Sequence, residues 1–154
     1  CLLAGFFMPR KRGFFILMYK FGTSSTQRLA TCEPDLQHIF NFVIDHIDCS
    51  IICGHRDEAD QTKAFVDKKS KVQYPNSKHN SYPSRAVDVA PFPIDWDDSK
   101  RFSDFANFVR GVAAVMYARG EISHKIRWGG DWDNDFDTKD QTFNDLPHFE
   151  LIRG

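Results

Sequence analysis

At 154 residues, 42% of them hydrophobic and 27% charged, the sequence has the make-up of a soluble globular domain, which excludes the disordered and fibrous classes. Twenty Lys plus Arg against twenty-one Asp plus Glu leave a formal net charge of -1, which argues against a protein that binds by neutralising nucleic-acid phosphates. One domain is expected, because a chain of this length buries roughly 68–70% of its unfolded surface without cross-links.

The N-terminal stretch CLLAGFFMPRKRGFFILMYK sets short apolar runs on both sides of Arg10, Lys11 and Arg12. FFILM is shorter than the ~20 residues of a membrane helix and the ~7 to 15 of a secretory core, so no membrane span and no clear secretion signal are read there. Because the chain opens on Cys1 rather than Met, residues 1–24 are expected to be a tail. It would carry sequence from before a start at Met8 or Met18, with the folded domain at 25–154. Cys1, Cys32, Cys49 and Cys53 lack the spacing of a cystine scaffold or of paired zinc-module cysteines, and are read as buried thiols.

Glu33 and Pro34 precede Leu36, Ile39, Phe40, Val43, Ile44 and Ile47, an apolar stripe at helical spacing with proline near the first turn. CSIIC, ended by Gly54, reads as a short buried strand. Asp57 is placed to cap a second helix that runs to about Lys68. Residues 70–84 are polar with Pro75 and Pro83 and read as loop, followed by a strand from Ala86 to Phe92. Ser99 opens the longest helix, with Phe102, Phe105, Ala106, Val109, Val112, Ala113 and Met116 on one side and Gly120 past its end. IRWGG, an acidic turn and a terminal strand HFELI complete the chain. This irregular alternation predicts an α+β fold with helices packed on a small, mainly antiparallel sheet.

A zinc hydrolase needs three protein ligands of the His, Asp or Glu type, an open fourth position, and a carboxylate nearby to take a proton from water. His79, Asp88 and His148 form such a set, with Asp145 three residues before His148. Six histidines allow many such triples, and on spacing alone loop histidines and a surface aspartate explain the pattern as well. Trp128 and Trp132 bracket Gly129 and Gly130 and are candidates for a wall of a substrate groove, with core packing as the alternative. Glu150 shares a strand face with His148, from which it could orient an imidazole, an exposed residue of an alternating strand being the alternative. Asp131, Asp133, Asp135 and Asp137 alternate like the start of a calcium loop. Phe136 and Thr142 stand where an EF-hand needs Gly and Glu, so the turn does not match that motif and calcium is the lesser reading. His38, His46, His55 and His124 have no matching carboxylate context and are read as ordinary polar residues.

The strings around these residues say more. SKHNSYPSRAVDVAP, WGGDW and DLPHFEL, with GHRDEADQ upstream, resemble the zinc peptidases that include D-Ala-D-Ala carboxypeptidases and dipeptidases and phage L-alanyl-D-glutamate endopeptidases. The phage lysin branch is the nearest match, and the resemblance spans residues 28–152. It implies a hedgehog/D,D-peptidase-like fold and a Zn2+ cofactor held by His79, Asp88 and His148. It further implies Asp145 as base, Arg56 as the cation facing the developing oxyanion, and Ser77 as a substrate contact or a loop-stabilising hydroxyl. Eight residues separate His79 from Asp88 where the family has six, and Pro83 and Ser84 occupy the region of a family glycine. The base is Asp where the dipeptidases have Glu.

The activity implied is hydrolysis of the stem peptide of bacterial peptidoglycan, at the L-Ala to D-Glu bond, by a monomer. In the phage setting the enzyme stays in the host cytoplasm until a lysis pore releases it. D-Ala-D-Ala cleavage is the second reading, and a non-catalytic zinc-stabilised binding domain the third. Asp145 and Arg56 favour catalysis, since a binder needs neither a base nor an oxyanion cation.

Overall fold

The computed structural model describes residues 18–154, so the basic cluster, the FFILM run and Cys1 discussed above lie outside or at the edge of the described residues. Four helices and four strands follow in the order α1 (Thr23–Leu29), α2 (Pro34–Ile44), β1 (Cys49–Cys53), α3 (Glu58–Val66), β2 (Ala86–Pro91), α4 (Ser99–Ala118), β3 (Lys125–Trp128) and β4 (His148–Ile152). A 3-10 turn at Lys78–Asn80 interrupts the long loop before β2. The strands form one antiparallel sheet in the order β1-β2-β4-β3, the α+β architecture expected from the sequence.

Strand alternation divides the sheet into two faces. On one, Ile51 pairs with Val89, Val87 with Phe149, Ile126 with Leu151 and Trp128 with Phe149; all are buried in the core with α2 and α4. Phe149 is the hub, its ring edge-on to Phe40 of α2 at 5.5 Å and to Phe105 of α4 at 6.1 Å. On the other face, Ala86 pairs with Glu150, Asp88 with His148 and Arg127 with Glu150.

Local chemistry explains the element ends. Pro34 sits in the first turn of α2, where its missing N–H costs nothing. Asp57 caps α3 by accepting from Asp60 N at 2.8 Å. Gly120, at φ 72°, closes α4: its N–H donates to Tyr117 O, and the following Glu121 N–H donates to Met116 O. This is the paired-bond ending that a left-handed residue permits. α1 has no counterpart in the sequence reading, because TSSTQRL carries no apolar stripe and buries only Leu29. Tyr19 and Phe21 pack against the core, so the folded unit reaches further toward the N-terminus than residue 25. Cys32 and Cys49 are buried free thiols as expected, whereas Cys53 is only half-buried.

Candidate metal centre

His79, Asp88 and His148 converge. Asp88 and His148 stand opposite each other on β2 and β4, and the 3-10 turn brings His79 across to them. His79 Nε2 lies 3.2 Å from Asp88 Oδ1 and 3.2 Å from His148 Nδ1, and His148 Nδ1 lies 3.1 Å from Asp88 Oδ1. Donor atoms at the corners of a tetrahedron around zinc, each ~2.0 to 2.1 Å from the ion, are about 3.3 Å apart. The spacing fits such a donor set.

The outer nitrogens fix which imidazole atoms face inward. His79 Nδ1 donates to the Gly54 carbonyl at 2.7 Å, and His148 Nε2 donates to Glu150 Oε2 at 3.2 Å. The inward Nε2 of His79 and Nδ1 of His148 then present lone pairs to each other and to a carboxylate, an arrangement stable only with a positive charge among them. The pKa shifts state the same need. Burial opposes a charged His79, yet the Asp88 carboxylate carries it up to about 10, and His148 is raised as well. Burial likewise opposes ionised Asp88, but the two histidines hold its carboxyl far below the ordinary range. A bound cation satisfies this pull as a proton would.

Each member is braced. Ser77 Oγ accepts from His79 N at 3.3 Å, and Asn80 Oδ1 accepts from Ser77 N at 3.0 Å, so Ser77 acts here as the hydroxyl that caps the turn while also lining the cleft. Arg56 N donates to His79 O and Asn80 Nδ2 to Arg56 O, both at 2.9 Å. The long interval before Asp88 is taken up where Ser84 N donates to Thr31 O and Ser84 O accepts from Glu33 N, each at 2.8 Å. Glu150 is bound by Arg127, whose Nε lies 3.1 Å from Oε1. Two cations' worth of neighbours, His148 and Arg127, overcome burial and bring the Glu150 pKa down to about 2.

Arg56 reaches the site with Nη2 3.2 Å from Asp88 Oδ2 and Nη1 3.1 Å from Gln61 Oε1. Its partner is thus Asp88, not the neighbouring Asp57 or Glu58. Gln61, fully buried, was not singled out in the sequence; it holds Arg56 on one side and Ser70 Oγ on the other, at 2.9 Å. Asp145 is half-buried in the cleft, and its carboxylate makes no hydrogen bond among the described residues. Burial and the nearby Asp88 charge raise its pKa.

The triad, Arg56, Asp145 and Glu150 line a cleft of about 890 Å³ together with Trp132, Phe143 and Trp96. Trp132 sits 5.5 Å from the His148 ring and stacks on Phe143 at 6.2 Å. Trp128 does not belong to the cleft wall. It falls on the core face of β3 opposite Phe149, is 1% exposed, and donates Nε1–H to Leu146 O at 2.7 Å. The neighbouring Arg127 takes the site face instead. Gly129 is required by close approach: a Cβ there would lie 2.4 Å from Asp145 O and 3.1 Å from His148 Cβ.

Two other groups of ligand-type side chains come close together. A β-bulge at Ile52 turns Cys53 toward Asp88, so that Cys53, His79 and Asp88 also bring ligand atoms within 4.8 Å of one another. In the acidic turn, Asp131 is buried, paired to Arg110 at 2.8 Å, and accepts from Phe136 N at 3.0 Å, which accounts for its charge without an ion. Of the remaining histidines, His46 and His55 bond backbone carbonyls, His124 pairs with Asp35 and His38 with Glu121.

The family described as phage L-alanyl-D-glutamate peptidase matches residues 17–152. The L-alanyl-D-glutamate peptidase of Escherichia phage T5 is 29% identical over 144 residues, covering 88% of this chain and 100% of that protein. Among solved structures, the Serratia marcescens L-Ala D-Glu endopeptidase ChiX superposes with a TM-score of 0.64 at 25% identity, covering 86% of this chain and 90% of the other.

Proposed function

The chain belongs to the phage L-alanyl-D-glutamate peptidase family, and from that premise we propose that it is a zinc-dependent peptidase that cuts the stem peptide of bacterial peptidoglycan between L-Ala and D-Glu. The observation that carries the reading is the convergence of His79 Nε2, Asp88 Oδ1 and His148 Nδ1 beside the Asp145 carboxylate, which has no hydrogen-bond partner among the described residues. His79, Asp88 and His148 would hold the metal. Zinc in that position supplies Lewis acidity, polarising a carbonyl and making water acidic enough to act near neutral pH.

The protein's own groups do the rest. Asp145 takes the proton of the attacking water at its carboxylate and delivers it to the leaving amine, a role helped by a pKa raised toward the working range. Arg56, held by Asp88 and Gln61, presents a fixed positive charge to the carbonyl oxygen as it becomes anionic. Glu150 keeps the His148 ring oriented, with Arg127 behind it. Trp132 and Phe143 line the path of the peptide. The protein acts as a monomer on the cell wall, reaching it from the host cytoplasm at lysis; no helix of the described residues is long and apolar enough to cross a membrane.

The test is digestion of purified peptidoglycan, with new termini identified by mass spectrometry and zinc quantified alongside. New Glu amino termini are expected. Released D-Ala would move the assignment to a D,D-peptidase, and an intact wall with a full complement of zinc would sink the peptidase reading in favour of a binding domain.

A further inference from the structure

Charge in the cleft is divided between depth and rim. Asp88 and Glu150 lie nearly buried at its base with Asp145 half-buried beside them, while Lys69, Lys71 and Lys78 line it from exposed positions. With Arg56 and Arg127, five basic side chains face three acidic ones, on a chain whose net charge is -1. The cleft is therefore locally positive, which concentrates anionic ligands there. Arg56 and Arg127 are taken by Asp88 and Glu150. The three lysines, unlike Lys63 and Lys100, form no ion pair with a carboxylate among the described residues.

Lys71 is the one with a defined place. Its Nζ lies over the Phe143 ring, 5.3 Å from the centroid. Phe143 stacks on Trp132 at 6.2 Å with 17° between planes, and Trp132 packs on His148 at 5.5 Å. An aromatic wall thus runs from the metal centre to an unpaired ammonium.

We propose that Lys71 is a specificity-determining residue, its ammonium receiving a free carboxylate of the substrate on the glutamyl side of the scissile bond, with Lys69 and Lys78 adding to the attraction. The inference rests on the peptidase reading above. Glutamate has two carboxyl groups and the chain continues through one of them, so a substrate cut before glutamate carries a carboxylate near the bond. A carboxylate at the end of the same peptide has the same chemistry, and the test separates the two.

The full chain is assayed on four matched L-Ala-D-Glu-X peptides, with the glutamyl carboxylate free or amidated and the terminal carboxylate free or amidated. Wild type is expected to lose about tenfold in kcat/KM, through KM, when the recognised carboxylate is amidated. Lys71→Met should lose the same factor on the free-acid peptide and stop discriminating acid from amide, while Lys71→Arg keeps the discrimination. Whichever amidation matters names the carboxylate. Equal discrimination by wild type and Lys71→Met, or none by wild type, would overturn the role of Lys71 while leaving the peptidase intact. Failure of wild type to cut any of the four peptides or peptidoglycan would overturn both.

Discussion

Asp88 on β2 and His148 on β4 are direct partners in the antiparallel register, and their inward atoms Oδ1 and Nδ1 stand 3.1 Å apart. Two of the three proposed ligands are therefore set by the sheet itself, each with its neighbours in the core: Val87 and Val89 flank Asp88, Phe149 follows His148. The proposed metal centre is an extension of strand pairing, and only His79 depends on loop structure.

Substituting a ligand and substituting the base should separate cleanly. His148→Ala is expected to lose zinc, read by metal analysis of the purified protein. Asp145→Asn should keep its zinc and lose about 10²- to 10⁴-fold in kcat on a stem peptide. Loss of metal from the Asp145 variant would show that it is a ligand and not the base.

Glu150→Gln removes the anion that accepts from His148 Nε2 and leaves Arg127 without its carboxylate. Zinc affinity, measured by competition with a chromophoric chelator, is expected to fall about 10- to 100-fold, with the fold retained. Unchanged affinity would reduce Glu150 to a structural partner of Arg127.

Arg56→Lys keeps a positive charge but not the two-pronged hold on Asp88 and Gln61. The expected loss is about 10²- to 10³-fold in kcat with little change in KM. A pure KM effect would place Arg56 in ground-state binding.

Asp35 offers a pH test remote from the site. Its Oδ2 accepts from Ser123 N at 2.9 Å, His124 N at 3.0 Å and His124 Nδ1 at 2.8 Å, tying the start of α2 to the approach to β3. Burial opposes ionisation, but the His124 and Ser123 bonds prevail and the carboxyl sits below its ordinary 3.8. The stabilisation is therefore complete above that value and drains away as pH falls below it. Unfolding free energies from urea titrations of wild type and Asp35→Asn should differ by about 1–3 kcal/mol near neutrality, and the difference should shrink as pH falls below about 3.8. A constant difference across the acid range would assign the effect to packing.

Much of this was legible in the sequence because strand alternation and caps are local. The period of two put Glu150 with His148, and Asp57 and Gly120 marked helix ends through their own backbone chemistry. What escaped needed a partner strand or a distant segment. Trp128 looks like a groove residue until its pairing with Phe149 turns it into the core and gives Arg127 the site face. The Ile52 bulge that aims Cys53 at Asp88 is invisible in CSIIC. Gln61 reads as one more polar helix residue, though it is fully buried against Arg56 and Ser70. For α1, a polar sequence that buries only Leu29 and is tied to β1 by Ser25 and Arg28, which bond the Ile51 N–H and carbonyl, gave no periodic signal.

The tight meeting at Gly129 has a further consequence. Asp145 N donates to Gly129 O at 2.7 Å and His148 N to Asp145 O at 3.0 Å, so the backbone of Asp145 is anchored on both sides while its carboxylate is tied to nothing among the described residues. A short arm on a fixed pivot can swing from the water that gives up a proton to the amine that receives it without disturbing its mount. Gly129→Ala, which would push a methyl into that pivot, should therefore slow proton delivery more than its own cost in stability explains.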